Sequence, residues 1–481
     1  MDLFLDDLKL DPGGSASLRE QLLFALRNRI LDGRLHAGAK MPSTRSLALL
    51  LGISRNTVTH VYDTLLADGM IVGQHGRGTF VSKRASLRTN SSDLPLVTLS
   101  ERARTLLKSG VDWSPSHPER VFEPGVPALD RFPHERWRRC LSAAIAASSP
   151  AAFGGGDPRG SDALRGLIAA HIGPSRSVAC TAERIVLFSS QRLAIHILMS
   201  LLLDPGDPVL IENPCLPEIL GVARSQGQLP VPLPVLDAGA DIQRMDPATR
   251  CASRLAIVTP SHQYPSGTAM EQPQREALLA WASKQNAYIL EDDYDGEFWL
   301  SDNRHSTLFS QATNNRVIYF NSFSKTLFPS LRVSYIVLPE ALVEPVTALK
   351  SIFEPQVSTV AEMALTEFIG SGAYTAHLRE MRQTYRERHN ILRYALEKNL
   401  GNMVHIESRQ YGLHLCVDLD PQYPDHDIAA AMKERNYGCK ALSSYYFAPT
   451  DTPRNGLVMG YAGWNASDLI RGVAELKALC S

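Results

Sequence analysis

The sequence predicts an α/β protein in two unequal parts: a small helical head ending in a β-hairpin, and a larger body on a mostly parallel central sheet. Three observations carry that prediction. At 481 residues the chain exceeds what one core ordinarily holds. From Arg184 onward, short β-prone runs (RIVLF, PVLIE, RLAIVTP, AYILE, VIYFN, VSYIV) alternate with helical stretches, the pattern of strands joined by helical crossovers. Before residue 84 the apolar spacing is helical, with serine starts and glycine stops at short intervals.

Each element of the head has its own signal. Leu18, Leu22, Leu26 and Ile30 recur every four positions and Gly33 follows, so residues 17–32 read as an amphipathic helix. Ser43 can cap a second helix in which Leu47 and Leu50 face inward and which Gly52 ends. Ser54 caps a third, with Val58, Val61, Leu65 and Leu66 as the buried stripe. A helix, a short glycine turn and a second helix make a helix-turn-helix. The stripe leaves Arg55, Asn56, Thr57 and Thr59 on or near the exposed first turn, where such a helix meets base edges: Arg suits guanine, Asn adenine, Thr a phosphate or a thymine methyl. In MIVGQHGRGTFV two short β-prone runs flank a glycine-rich turn, a hairpin that would carry His75 and Arg77 toward the minor groove or backbone. A small helical packing domain with a polar surface fits the same spacing.

Charge follows this division. Residues 15–84 carry ten Lys or Arg against four Asp or Glu, and residues 85–481 carry 38 against 42. A basic head on a mildly acidic body suits a polyanion at one end only. The opening MDLFLDDLKLD lacks the basic start of a secretory signal, and the longest apolar run, LAIHILMSLLL, is too short to span a bilayer, so a cytoplasmic protein with no membrane partner is expected. Seven dispersed cysteines with no CxxC pair predict neither disulfides nor a metal site. The expected organisation is a tail over 1–14, a head over 15–84, an irregular linker over 85–118 and a body over 119–481, its large subdomain about 155–345 and its small one about 346–481.

In the body, the residues with chemical reach fall at the carboxyl ends of strands, where open α/β sheets collect ligands. Asp292, after AYILE, can keep a pyridine nitrogen protonated, and Tyr294 can reach a ring oxygen; a capping acidic turn reads the same way. Lys325, after VIYFN, is a candidate imine-forming amine flanked by the hydroxyls of Ser322 and Ser324, and Arg332 supplies a donor fork suited to phosphate. The turn-rich TPSHQYPSG brings Tyr264 over or beside a ring. At FSSQR a strand runs into a helix, so the N–H groups of Ser190 and Gln191 either bind phosphate or belong to an ordinary helix cap.

The run MPSTRSLALLLGISRNTVTHVYDTLLADGMIVGQHGRGTFV resembles the winged helix-turn-helix domain of GntR-type transcription regulators. The runs FGGGDPRGSDALRGLI, LLLDPGDPVLIENP, TPSHQYPSG, EDDYDGEF, NSFSKTLFPSLR and NGLVMGYAG resemble fold-type I aminotransferases that use pyridoxal 5'-phosphate. The fusion of the two resembles the MocR subfamily of GntR regulators. By that resemblance Arg45, Arg55, Thr57, Thr59, His75, Gly76 and Arg77 touch DNA, although Arg45 can equally brace the helix pair. By the same resemblance Lys325 holds pyridoxal phosphate as a Schiff base, Asp292 pairs with the pyridine nitrogen, Tyr294 contacts the ring hydroxyl, and Ser322 and Arg332 hold the phosphate. The implied partners are double-stranded operator DNA, an amine, amino-acid or B6-vitamer effector, and a second copy of the chain in a homodimer.

The chain departs from the pattern at several positions. Relatives usually carry a tyrosine at Gly155, a glycine at Ser190, an aromatic at Leu216 and a glycine at Ser334. Where aminotransferases place an arginine for the substrate carboxylate this chain has Gly456 and Leu457, with Arg454 and Arg409 as nearby candidates. Two functions follow: a DNA-binding regulator whose Lys325 senses the vitamer or an amine, or an aminotransferase with an appended DNA-binding head.

Overall fold

Three serines start the three helices of the head. Ser17 and Glu20 form a reciprocal capping box at α1 (Leu18–Leu31), Ser43 accepts from the Ser46 N–H at α2 (Thr44–Leu51), and Ser54 from the Thr57 N–H at α3 (Arg55–Ala67). Such caps contribute about 1 kcal/mol each. Gly52 ends α2 with φ of +63°, a conformation in which a side chain is strained. The hairpin pairs β1 (Ile71–Gln74) with β2 (Gly78–Val81) antiparallel. Leu22, Leu26, Ile30, Leu47, Val58, Val61 and Leu65 are all fully buried in one core. Leu50 and Leu66, expected inward, are 53% and 41% exposed. In α3 the inward row runs through positions 58, 61, 62 and 65, so Tyr62 takes the buried place and its hydroxyl donates to the Pro42 carbonyl at 2.9 Å. In α2 the buried residues are Leu47 and Ala48.

The computed structural model describes residues 8, 10, 11, 13, 16–74, 76–82, 98–108, 118–298, 306–406, 412–450 and 453–480. It divides into two units, Met1–Leu99 and Ser100–Ser481. A helix over Glu101–Lys108, inside the span expected to be linker, sorts with the second unit.

The second unit is built on an eight-stranded sheet. Its strands are β3 (Ile185–Phe188), β4 (Pro208–Asn213), β5 (Leu229–Leu236), β6 (Gly239–Ala240), β7 (Leu255–Val258), β8 (Tyr288–Asp292), β9 (Val317–Ser322) and β10 (Ser334–Val337), in the spatial order β3-β10-β9-β8-β7-β4-β5-β6. The pairs from β9 through β5 are parallel; β10 and the short β6 pair antiparallel with their neighbours. The six β-prone runs of the sequence are all strands. Two strands of this sheet had no sequence signal, the two-residue β6 and β5, LPVPLPVL; the second is the more instructive. Its prolines fall on every second residue, so all three missing donors face one edge and the other edge still bonds to β4. Core residues fill both faces, as a sheet covered by helices requires.

A second sheet of β11 (Val404–Ile406), β12 (His414–Leu419), β13 (Lys440–Ala441) and β14 (Gly456–Gly460), ordered β11-β12-β14-β13 and wholly antiparallel, lies with the long helix Ala373–Leu400 in the stretch expected as the small subdomain. Residues 121–123 thread through it: the Gly438 N–H donates to the Val121 carbonyl at 2.7 Å and the Gly460 N–H to that of Phe122 at 2.8 Å. A Cβ at Gly460 would lie 2.1 Å from the Glu123 carbonyl oxygen, so only glycine lets this segment pass. That passage delivers Gly125 to Lys325. Among the described residues, no helix is long and apolar enough to cross a membrane and no cluster of side chains could hold a metal ion.

Candidate functional site

Strand order gathers the body's candidate residues. β3, β10 and β9 are neighbours, with Ser334 opposite both Phe188 and Ser322, so Ser190 just past β3, Ser322 at the end of β9 and Arg332 just before β10 meet at one rim of the sheet. β8 lies beside β9 with Asp292 opposite Phe320, which places Asp292 next along that rim.

Lys325 sits on a one-turn helix, Phe323–Thr326, that follows β9 directly. Its Nζ donates to the Gly125 carbonyl at 3.0 Å. Desolvation pushes its pKa below the usual lysine value, against the pull of Glu218, Asp292 and Asp295. A Cβ at Gly125 would stand 2.5 Å from that nitrogen, so the glycine is part of the site. Sequence reasoning missed it; its signal was the Pro-Gly pair in FEPGVPALD.

The acidic run EDDYD separates into four tasks. Glu291 accepts from the N–H groups of Leu308 and Phe309, and burial lifts its carboxyl to about 7. Asp293 holds Arg176 in a bidentate pair at 2.6 and 2.7 Å and accepts from the Tyr319 hydroxyl. Asp295 faces His262 at 2.7 Å. Of the four, only Asp292 keeps an oxygen free: Oδ2 accepts from the Gln191 side-chain amide, while Oδ1 is buried with no hydrogen-bond partner among the described residues. Burial raises its pKa to about 8, only partly offset by the Gln191 hydrogen bond. A buried carboxyl oxygen without a partner marks a place for an N–H donor.

Around these two, Ser322 accepts from the Ser324 N–H at 3.1 Å and starts the lysine's helix. Arg332 is exposed, with φ of +55° and ψ of +47°, a left-handed backbone that costs a bulky residue about 1 kcal/mol or more. Ser190 caps the helix Gln191–Leu202 by accepting from the Leu193 N–H at 3.2 Å, so it is a helix cap in its side chain. Gln191 serves Asp292 through its side chain, a role the sequence reading did not assign. The Ser189 N–H meets the Glu354 carboxylate at 3.1 Å. The Tyr294 hydroxyl lies 2.9 Å from His262 Nδ1, and Tyr264 stands edge-on to Tyr294 at 5.8 Å with its hydroxyl 3.3 Å from that of Tyr445.

The departures have local explanations. Ser334 is buried and donates to the Phe188 carbonyl at 3.0 Å. Gly155 has φ of +115° beside Gly156, whose N–H is held by Gln356 at 2.6 Å. Leu216 packs partly buried against the apolar layer under β4. Arg454, just before β14, is bound in a two-pronged pair to Asp418 of β12, both contacts at 2.9 Å. Arg409 lies outside the described residues.

In the head, Arg45, Arg55 and Asn56 are exposed at the first turns of α2 and α3, and Gly76 and Arg77 at the tip of the hairpin. Thr57 and Thr59 are half-buried; the Thr57 hydroxyl meets that of Ser54 and the Thr59 hydroxyl donates to the Arg55 carbonyl. His75 lies outside the described residues.

The site residues fit pyridoxal phosphate on two counts, the partnerless Oδ1 of Asp292 and the room that Gly125 leaves at the Lys325 amine.

Residues 127–455 match the family described as aminotransferase class I and II, and residues 18–81 match the bacterial regulatory proteins of the gntR family. The probable rhizopine catabolism regulatory protein MocR of Rhizobium meliloti is 31% identical over 98% of this chain and 95% of its own. The HTH-type pyridoxine biosynthesis transcriptional regulator PdxR of Corynebacterium glutamicum is 27% identical over 98% of this chain and 97% of its own. Among solved structures, the α-aminoadipate aminotransferase LysN of Thermus thermophilus, complexed with N-(5'-phosphopyridoxyl)-L-leucine, matches with a TM-score of 0.67 at 23% identity over 79% of this chain and 94% of its own.

Proposed function

Because the chain belongs to the MocR-type GntR transcription regulators, we propose that it binds operator DNA through its head and pyridoxal 5'-phosphate at Lys325, and that replacement of Lys325 by an amine effector changes DNA binding. The observation that carries this reading is the pairing of a half-buried lysine, held by one carbonyl, with a buried Asp292 oxygen that has no partner.

When bound, pyridoxal phosphate supplies a carbonyl carbon that exchanges one amine for another. Each protein group has a task toward it. Asp292 would hold the pyridine nitrogen through Oδ1, and burial, which raises its pKa to about 8, keeps a proton available at that contact. Ser322, Arg332 and the first-turn N–H groups at Ser190 and Gln191 would hold the phosphate. Tyr294 would offer its hydroxyl to the ring oxygen, and Tyr264 and Ser324 would flank the cofactor. Desolvation favours the neutral amine of Lys325, the form that can bond to carbon. In the head, Arg55, Asn56, Thr57 and Thr59 read bases or phosphate, and Arg45, His75, Gly76 and Arg77 add backbone and groove contacts. We infer a homodimer from the likeness of the body to aminotransferases, with each head reaching one half-site.

An effector shifts the head only by its different affinity for two states of the body. Retention of Lys325 with Asp292 favours, as a second reading, an enzyme that turns over; the engagement of Arg454 by Asp418 removes one substrate clamp and weighs against it. Purified protein titrated with pyridoxal phosphate, then with a panel of amines and keto acids, separates the readings. A visible absorbance band that amines shift without sustained product is expected. Sustained turnover would assign the body to catalysis, and a colourless protein would remove the cofactor altogether.

A further inference from the structure

Behind Tyr294 lies a buried cluster that the reading above leaves idle. His262 Nδ1 is 2.7 Å from Asp295 Oδ2 and 2.9 Å from the Tyr294 hydroxyl. One ring nitrogen cannot give its proton to a carboxylate and also accept one. Nδ1–H therefore donates to Asp295, and the Tyr294 hydroxyl donates to the same carboxylate, the partner that with burial holds its proton on. His262 and Asp295 are 7% and 4% exposed.

The small subdomain completes the cluster from the other side. His414, the first residue of β12, lies 5.1 Å from His262 ring to ring. Its Nε2 is 3.1 Å from the Pro265 carbonyl, and burial keeps the ring neutral, down to about 3, so Nε2–H donates there. At Gly412 a Cβ would stand 2.0 Å from Asp295 Oδ2 and 2.6 Å from the His262 ring, and its φ is +72°. Only glycine lets the segment leading into β12 lie against the pair. Among the described residues, the titratable groups that contact His262 include Asp295, Tyr294 and His414.

We propose that Asp295 and His262 are a positioning pair for Tyr294: by sharing one carboxylate they set how firmly the Tyr294 hydroxyl proton is held back from the cofactor ring, and through Gly412 and His414 they tie that hydroxyl to the small subdomain. Tyr294 has one proton and two claimants, Asp295 and an acceptor on the ring. Removing the donor from His262 leaves Asp295 a stronger claimant; neutralising Asp295 leaves it a weaker one. The proposal rests on pyridoxal phosphate occupying the cleft.

The test is the pH midpoint of the visible band of the full-length protein loaded with pyridoxal phosphate. His262→Phe should raise that midpoint and Asp295→Asn lower it, each by about 0.5 to 1 pH unit, the size of one hydrogen bond. In a Tyr294→Phe background both shifts should vanish. A midpoint unmoved by either substitution, or moved equally without the Tyr294 hydroxyl, overturns the pair's role while leaving the cofactor reading intact. A wild-type protein with no band removes the cofactor reading and the proposal with it. If His262→Phe does not fold, Asp295→Asn and its combination with Tyr294→Phe decide the outcome.

Discussion

Replacing Asp292 with Asn should stabilise the cofactor-free protein at neutral pH while spoiling its cofactor site, because the same burial that prepares the carboxyl for a pyridine nitrogen costs stability when no such partner is present. The folded carboxyl binds its proton up to about pH 8, against roughly pH 4 in the unfolded chain. The folded state therefore holds more protons, and stability falls as pH rises from about 4 to about 8. At pH 7 the penalty is about 4 kcal/mol and at pH 5 about 1 kcal/mol. Asn escapes it, retaining the acceptor for Gln191 but leaving a buried amide N–H unpaired, at about 1 to 3 kcal/mol. That cost is independent of pH. The gain from Asp292→Asn at pH 7 minus the gain at pH 5 should thus be about 3 kcal/mol. All five tryptophans follow residue 112, so denaturant unfolding followed by tryptophan fluorescence reports the body without the head. The loaded protein should behave oppositely, its pyridoxal phosphate affinity falling about 10- to 150-fold with the loss of a charge-assisted hydrogen bond. A stability change equal at both pH values, or an unchanged affinity, would refute the assignment of Asp292.

Gly125→Ala places a methyl group 2.5 Å from the Lys325 amine and should lower cofactor affinity by about tenfold or more, read by the same absorbance titration, as a displaced reacting atom does. Arg454→Ala should cost at most about 1 kcal/mol, since its pair with Asp418 is a quarter exposed on each side, and should leave the amine response of the visible band unchanged; a lost response would restore Arg454 as an effector ligand. Arg55→Ala should weaken operator binding by about 1 to 3 kcal/mol and relax preference at one base pair. An unaltered fluorescence-anisotropy titration would remove Arg55 from the interface.

Much of this was legible in the residues. Serine caps, glycine stops and four-residue apolar spacing fix the head, because local backbone chemistry decides helix ends. The strands under the cofactor cleft carried continuous apolar runs, since they are buried on both faces. β5 was hidden because alternate prolines read as a breaker until the neighbouring strand shows that only one edge needs donors. Asp292 was legible as a residue type at a strand end, but its difference from Glu291, Asp293 and Asp295 depends on partners far away in sequence: Gln191, Arg176 and His262. Gly125 was missed for the same reason, as its partner Lys325 is 200 residues on. The pairing of Arg454 with Asp418 was hidden in the same way, because Asp418 sits on the neighbouring strand, 36 residues earlier in sequence.

The central claim, that Lys325 couples a small amine to DNA binding, is tested most directly by operator affinity. Full-length wild type and Lys325→Ala should each be titrated against DNA fragments selected from their own genome by the wild-type protein, with and without pyridoxal phosphate, and then with amines found to shift the visible band. The account predicts that both proteins bind the DNA, and that the cofactor and amines change the affinity of wild type by about fivefold or more while Lys325→Ala does not respond. An equal response in both proteins, or none in either, would contradict it.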